Sequence, residues 1–360
     1  MNQELGQNAV ILGNAHYFDK GLGQHGEIIV TIISIVKPTP LDIAPIVKKT
    51  DSIGNYSVNV SPGTYIIIAE DPNKEYYPAT TQIKVENGET KTAEDLILTK
   101  AIQHVIIFRE QESGWCNAGV PYTVMGDILT SELGMTEGSE VNQYEYRSLR
   151  DNPLNLTFNI GDLIIIEGDQ PQDFYDTYTT NKSVFDDFVH NGGTIFWVAS
   201  DMGWANGDFT SSLPGRVTWR DYYDDWDDIA NFDHPITKKF SAQLYGNHAS
   251  HGGFDNLNTG LPIVNLMIYV KETSGGLPTY IEYRYGSGRV LATTTPLEWY
   301  VDNGSTDMPQ GYNTTYKDLF KLMLVRSIRY IMNLTVSSDI PPSLAPTVEK
   351  SPKVELFSNK

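Results

Sequence analysis

The segment DLIIIEGDQPQDFYDTYTTNKSVFDDFVHNGGTIFWVASDMGW, residues 162–204, limits the folds open to this chain more than any other stretch. Leu163–Ile166 and Thr194–Ala199 are short apolar runs rich in β-branched and aromatic residues, the pattern of strands buried on both faces. Between them Val184, Phe185, Phe188 and Val189 recur at helical spacing, and Asn191-Gly192-Gly193 supplies a left-handed stop. The spacing predicts a strand, helix, strand unit of a parallel sheet. Its second strand ends in Ser200-Asp201-Met202-Gly203, a turn at the carboxyl edge, where open α/β sheets keep their sites.

The flanking sequence extends this pattern. Val105–Phe108 reads as a buried strand, Tyr122, Met125, Ile128, Leu129 and Leu133 as a helix begun by Pro121 and ended by Gly134, and Tyr144–Tyr146 as the next strand. Strands return at Ile263–Val270, Thr279–Arg284 and Arg289–Thr293, and Thr315–Leu334 closes the region as an amphipathic helix. Strand and helix in alternation imply a parallel sheet with flanking helices. Between Pro214 and Gly260 the run from Asp221 to Asp233 reads as an acidic surface loop with aromatic anchors, followed by a Gly-rich turn that holds His248 and His251.

The first hundred residues differ. Short β-rich runs between Ala9 and Leu98, spaced by Gly, Pro, Asn and Asp, carry the signature of an all-β sandwich. Asp51, Gly54-Asn55-Tyr56 and Pro62-Gly63-Thr64-Tyr65 resemble the repeat of carboxypeptidase regulatory-like (transthyretin-like) domains. That resemblance implies an accessory sandwich on an exported protein and contributes no catalytic residue. The expected fold class is therefore multidomain, all-β plus α/β: a sandwich over 1–100, an α/β unit over 101–335, and a Pro/Ser-rich linker or tail over 336–360.

Across 360 residues the net charge is −19, with no clustered Lys and Arg, which excludes a nucleic-acid partner. No apolar run approaches the ~20 residues of a membrane-spanning helix. The start, MNQELGQNAV, lacks the basic and apolar regions of a signal peptide, so a secreted or cell-surface location requires that a leader has been removed. The lone Cys116 has no intrachain disulfide partner. Asn55, Asn155, Asn181, Asn303, Asn313 and Asn333 open glycosylation triplets.

The region from Val105 to Asn333 resembles the class I glutamine amidotransferase-like fold, which is flavodoxin-like. The turn after Val198-Ala199 sits where those enzymes hold a nucleophilic Cys, and the run from Arg289 to Trp299 sits where they hold His-x-Glu. Here Ser200 or Asp201 stands for the Cys and Pro296 for the His, while Glu298 keeps the carboxylate. The resemblance implies a non-catalytic relative. Cys116 could face the same crevice, but no His partner is evident for it.

Glu110, Glu112, Asp169, Ser200, Asp201, Glu298 and Trp299, with Cys116, make up the candidate cleft, because all fall at or just after predicted parallel strands. Paired carboxylates suit glycoside hydrolysis or a hard cation such as calcium. No other cofactor is expected. The aromatic residues Trp204, Tyr222, Tyr223, Trp226, Trp299 and Tyr300 could stack on sugars, and His248 and His251 could share a metal. Two functions follow: a structural or adhesive surface protein that binds itself or other surface proteins, and a glycan-binding or glycan-cleaving protein.

Overall fold

The computed structural model describes residues 8–18, 20–35, 44–110, 123–151, 156–201, 207–240, 243–302 and 314–334. The chain begins with strands β1 (Ala9–Tyr17), β2 (Ile29–Ser34), β3 (Ile46–Lys49), β4 (Asn55–Val60), β5 (Gly63–Glu70), β6 (Ala79–Val85), β7 (Thr90–Thr92) and β8 (Leu96–Leu98). They form two four-stranded sheets, β4-β1-β7 with β8 also on β1, and β3-β2-β5-β6. Strict alternation builds them: β4 buries Tyr56, Val58 and Val60 and exposes Asn55, Ser57 and Asn59. One core, including Ile11, Val30, Tyr56, Ile67 and Val85, is shared by both sheets.

The Asp51 to Tyr65 motif has a physical role here. Asp51 Oδ1 accepts the N–H groups of Ile53 (3.0 Å) and Asn55 (2.8 Å), closing the turn into β4. Gly54 has φ +89°, and a Cβ on it would lie 2.4 Å from the Ala15 carbonyl oxygen, so no other residue fits without movement. The Tyr65 hydroxyl donates to the Ser61 carbonyl at 2.7 Å and fastens the turn that carries the chain from β4 in one sheet to β5 in the other.

The rest of the chain comprises β9 (His104–Phe108), α1 (Val124–Leu133), β10 (Thr136–Glu137), β11 (Gln143–Arg147), β12 (Asp162–Ile166), α2 (Gln172–Thr180), α3 (Lys182–His190) and β13 (Thr194–Val198). It continues through β14 (Trp219–Arg220), β15 (Asp224–Ile229), β16 (Gln243–Ser250), β17 (Gly253–Phe254), β18 (Ile263–Glu272), β19 (Pro278–Tyr285), β20 (Gly288–Thr293), α4 (Leu297–Asp302) and α5 (Thr314–Ile331). Ten strands make one sheet, in the order β10-β11-β9-β12-β13-β20-β19-β18-β15-β16.

Both faces of its centre are covered, as the unbroken apolar strands require. Val105, Ile107, Leu163, Ile165, Phe196 and Val198 pack under α1, α4 and α5, while Ile106, Phe108, Ile164, Ile166, Ile195 and Trp197 pack under α2 and α3. Each of these buried side chains contributes roughly 1.5–3 kcal/mol. α1 stops at Gly134, which has φ +67°. α2 escapes a pattern reading because only Phe174, Tyr175 and Tyr178 bury it, among Thr and Asp residues of low helix propensity.

Three expectations need correction. The sheet is parallel only from β10 to β20; from β20 through β19, β18 and β15 to β16 it is antiparallel. The two-residue loop Gly286-Ser287 turns β19 straight back into β20, and so short a link permits only antiparallel pairing. The acidic run is not a surface loop: Asp224–Ile229 is a sheet strand between β18 and β16. Its Asp227 is fully buried and accepts the hydroxyls of Ser250 (3.0 Å) and Thr279 (3.2 Å), which offset its desolvation. His248 likewise lies within strand β16, not in a turn, and His251 follows directly after it.

Candidate functional site

β9, β12, β13 and β20 run parallel, so the loops after them gather at one edge. Glu110, leaving β9, is fully engaged there. Its Oε1 accepts the N–H groups of Leu149 (2.9 Å) and Arg150 (3.0 Å), its Oε2 accepts the Ser148 hydroxyl (2.7 Å), and Arg150 Nε stands 3.8 Å away. Glu110 therefore braces the exits of β9 and β11. Gln170 continues the brace, accepting the Glu110 N–H at 3.0 Å and donating to the carbonyls of Glu167 (3.1 Å) and Gly168 (3.2 Å).

The chain leaves β12 as Glu167-Gly168-Asp169. Glu167 is buried, with Arg109 Nε 3.9 Å away; burial pushes its carboxyl up to about 7, against the pull of Arg109. Glu298, in the first turn of α4, is 2% exposed, and its Oε1 accepts the Gly168 N–H at 3.2 Å. Its Oε2 has no hydrogen bond among the described residues. Burial first, then the neighbouring Glu167 charge, pushes its carboxyl up to about 8. At neutral pH this pair holds a proton.

Asp169 has φ +52°, and its N–H donates to the Ser200 carbonyl at 2.6 Å, joining the ends of β12 and β13. Ser200 is fully buried and its hydroxyl has no hydrogen bond among the described residues. Asp201, 1% exposed, accepts the Phe209 N–H on Oδ2 at 2.8 Å. Burial, then the charge of Asp221, pushes its carboxyl up to about 8. One carboxylate oxygen from each of Asp201, Asp208 and Asp221 lies within 4.8 Å of the others.

Tyr223 stands beside these acids, 48% exposed. Burial, then Asp169, Asp201 and Asp221, raise its hydroxyl pKa. Its ring lies 4.2 Å from that of His248 and meets His251 edge-on at 5.1 Å. The His251 N–H donates to the Thr294 carbonyl at 2.8 Å, tying the end of β16 to the end of β20. The two histidine rings stand 5.9 Å apart and pack on Tyr223.

The expected aromatic platform divides. Tyr223 and Trp226 are partly exposed, whereas Trp299 (4%) and Tyr300 (0%) belong to the core, Tyr300 stacking on Phe320 at 4.0 Å. Their place in the helix after β20 turns both inward, so they are corrected from ligand platform to packing. Glu112, Cys116, Trp204, Asn155, Asn303 and Asn313 lie outside the described residues. Asn55 and Asn333 are exposed; Asn181 is half-buried and donates to the Thr177 carbonyl at 2.9 Å.

Sequence reasoning passed over Glu167 and Asp208 and took Asp221 only as part of a loop. Glu167 had a signal, since it follows directly on the buried run Leu163–Ile166. Asp208 and Asp221 had none, because tertiary packing brings them to Asp201. A cavity of about 910 Å³ lies at the opposite, amino edge, lined by Phe18, Lys20, Phe158, Phe188 and His190, away from these acids.

No family model matches the chain. An uncharacterized protein of Clostridium acetobutylicum is 30% identical over 213 residues, covering 55% of this chain and 21% of that protein, so the chain spans about a fifth of that relative. Among solved structures, a cytoplasmic protein from Salmonella typhimurium is 12% identical, covers 63% of this chain and 98% of its own, and has a TM-score of 0.37. A DUF3823 family protein from Parabacteroides merdae is 14% identical over 27% of this chain and 48% of its own, with a TM-score of 0.21. The dioxygenase domain of a dioxygenase carbohydrate-binding protein fusion from Streptomyces sp. SirexAA-E is 11% identical over 28% of this chain and 85% of its own, with a TM-score of 0.22. Likenesses at such TM-scores are partial overlays of fold and say nothing of activity.

Proposed function

We propose that this chain is a secreted or cell-surface protein that works by binding and not by glutamine hydrolysis. On this reading a carboxypeptidase regulatory-like sandwich over 1–100 precedes an amidotransferase-like α/β unit over 101–335 and a connector over 336–360. Counting the longer parallel strands β9, β11, β12, β13 and β20 as first to fifth, their sheet order is 2-1-3-4-5, the order of flavodoxin-like sheets, which supports the second unit.

The observation that carries the loss of catalysis is Ser200. It stands where the resemblance expects the thiol, yet its side chain is fully buried, and a nucleophile must reach its substrate and hand its proton to a base. Pro296 offers no base. Glu298, protonated at neutral pH, lacks the negative charge that would steady an imidazolium. Incubation with glutamine should release no ammonia; turnover abolished by Ser200→Ala would sink this reading.

Protein contacts then become the working chemistry. β3 is an edge strand with Val47 59% exposed, and Ile35, Ile53 and Ile97 are exposed on the same two-sheet part. Edge strands of this kind accept a strand from a neighbour. Light scattering across a concentration series should show self-association that Val47→Glu weakens; a monomer throughout would end the self-assembly reading.

A second reading has its own support. The half-exposed Tyr223 ring, stacked near His248 beside a row of acids, is a surface on which a sugar could sit. Saturable binding on a glycan array, lost in Tyr223→Ala, would favour it; no binding would remove it.

A further inference from the structure

Asp201, Asp208 and Asp221 arrive from three separate places: the end of β13, the loop before Phe209, and the residue after β14. Among the described residues none of the three is ion-paired with Lys or Arg. Acidic groups at a surface often crowd without consequence, and the crowding of Asp208 and Asp221, both exposed, would carry nothing alone. Asp201 is the different member. It is 1% exposed, its Oδ2 is committed to the Phe209 N–H, and its Oδ1 makes no hydrogen bond of normal geometry among the described residues, although the Trp219 and Asp221 side chains stand beside the carboxyl. A buried carboxyl crowded by two more carboxylates is relieved either by a proton or by a positive partner, and three converging acids offer a cation more than one ligand.

The positions of the three acids are held by packing that does not depend on a ligand. The Phe209 ring stacks on Trp219 at 4.4 Å and 2°, which joins the segment of Asp208 to that of Asp221. Trp219 is itself paired in register with Phe254, across β14 and β17. Asp208 is clamped through its backbone: its N–H donates to Gln172 Oε1 at 2.8 Å and its carbonyl accepts from Gln172 Nε2 at 3.2 Å. Gly207 allows this approach, since a Cβ there would fall 2.1 Å from the Gln170 carbonyl oxygen.

From this geometry we propose that Asp201, Asp208 and Asp221 bind one divalent cation, of which calcium fits best. All three donors are carboxylate oxygens, the choice of hard cations and not of zinc or copper. Calcium takes oxygen ligands at about 2.3–2.6 Å, so two ligands of one ion stand at most roughly 4.6–5.2 Å apart, and these oxygens, all within 4.8 Å of one another, can reach one ion. Magnesium, at about 2.0–2.1 Å, demands near-ideal octahedral geometry and sheds water reluctantly, which suits carboxylates from three separate segments less well than calcium's adaptable shell. The exposed side of the cluster, at Asp208 and Asp221, leaves room for the waters that complete the shell. The site stands apart from the glutamine and glycan readings, since it needs neither.

The test uses the 360-residue protein stripped with EDTA and titrated with calcium, magnesium and terbium. Calcium should bind one per chain, and bound terbium should luminesce on tryptophan excitation, because Trp219 is two residues from Asp221. Asp208→Asn and Asp221→Asn alter exposed side chains and relieve repulsion, so neither should lower the cation-free melting temperature, while each weakens calcium binding at least tenfold. Asp201→Asn should abolish binding, and the two exposed variants decide the matter if that protein does not fold. Failure of the wild type to bind calcium or terbium at millimolar concentration would overturn the proposal, as would full retention of binding in the Asp208→Asn/Asp221→Asn double variant. Magnesium binding as tightly as calcium would overturn the choice of cation.

Discussion

Glu282, on β19, and Glu298, in the first turn of α4, are both buried, at 6% and 2% exposure, but the two ends of the sheet neutralise them differently. At the amino end of β20, Arg289 Nε donates to Glu282 Oε1 at 2.6 Å and the Tyr269 hydroxyl donates to Oε2. Arg289 also lies over the Tyr330 ring at 4.4 Å, and His234, whose pKa burial lowers to about 4, stacks on Tyr269 at 4.1 Å. That acid is held as a salt bridge within a filled network. At the carboxyl end Glu298 meets one backbone N–H and another carboxylate, so a proton neutralises it. A buried acid with its own cation is architecture; one left to borrow a proton can respond to pH or to a ligand.

The most direct way to break this contrast is Arg289→Met, which leaves Glu282 buried without its cation. Denaturant unfolding should show a loss of about 3–5 kcal/mol. A loss below about 1 kcal/mol would mean that the pair is not the structural unit drawn here. Glu110 extends the same logic to the carboxyl edge, since its oxygens accept three hydrogen bonds. Glu110→Ala orphans the N–H groups of Leu149 and Arg150 and should cost about 2–4 kcal/mol.

Glu298 should behave in the opposite sense. Its folded-state pKa, about 8, lies above the ordinary carboxylate value, so the unfolded chain loses its proton first as pH rises. The stability linked to this group is therefore fully present below about pH 4.5 and is lost as pH climbs through about 8. Glu298→Gln keeps an oxygen for the Gly168 N–H and removes the titration. Melting curves from pH 5 to 9 should flatten, with the variant the more stable at pH 9, by on the order of 2 kcal/mol. An unchanged slope would show that Glu298 does not carry the proton. The smallest effect belongs to a charged pair in water: Lys49 and Glu27 are 61% and 70% exposed, and Lys49→Ala should shift stability by less than about 1 kcal/mol.

Parts of this molecule were legible before any coordinates. β9, β12 and β13 show themselves as apolar runs because a strand covered on both faces has no polar side to display, and Gly134 marks the end of α1 because the stop needs its backbone freedom. The Asp51 to Tyr65 motif names its own turns, since its hydrogen bonds are local. β15 was not legible: DDWDDI looks like a solvated loop until Ser250 and Thr279, from other strands, supply hydroxyls to Asp227. Asp201 and Glu298 could be placed at the carboxyl edge from their positions after β13 and β20, but Asp208, Asp221 and His251 could not.

Alone, the sequence determined where buried strands run, where helices stop and which turns need glycine, because each depends on residues that are neighbours along the chain. Which acids are paired, which carry a proton and which crowd together was decided only by the tertiary structure. Burial and the distance to a cation are properties of packing, and here Glu298 meets Gly168 across a separation of 130 residues.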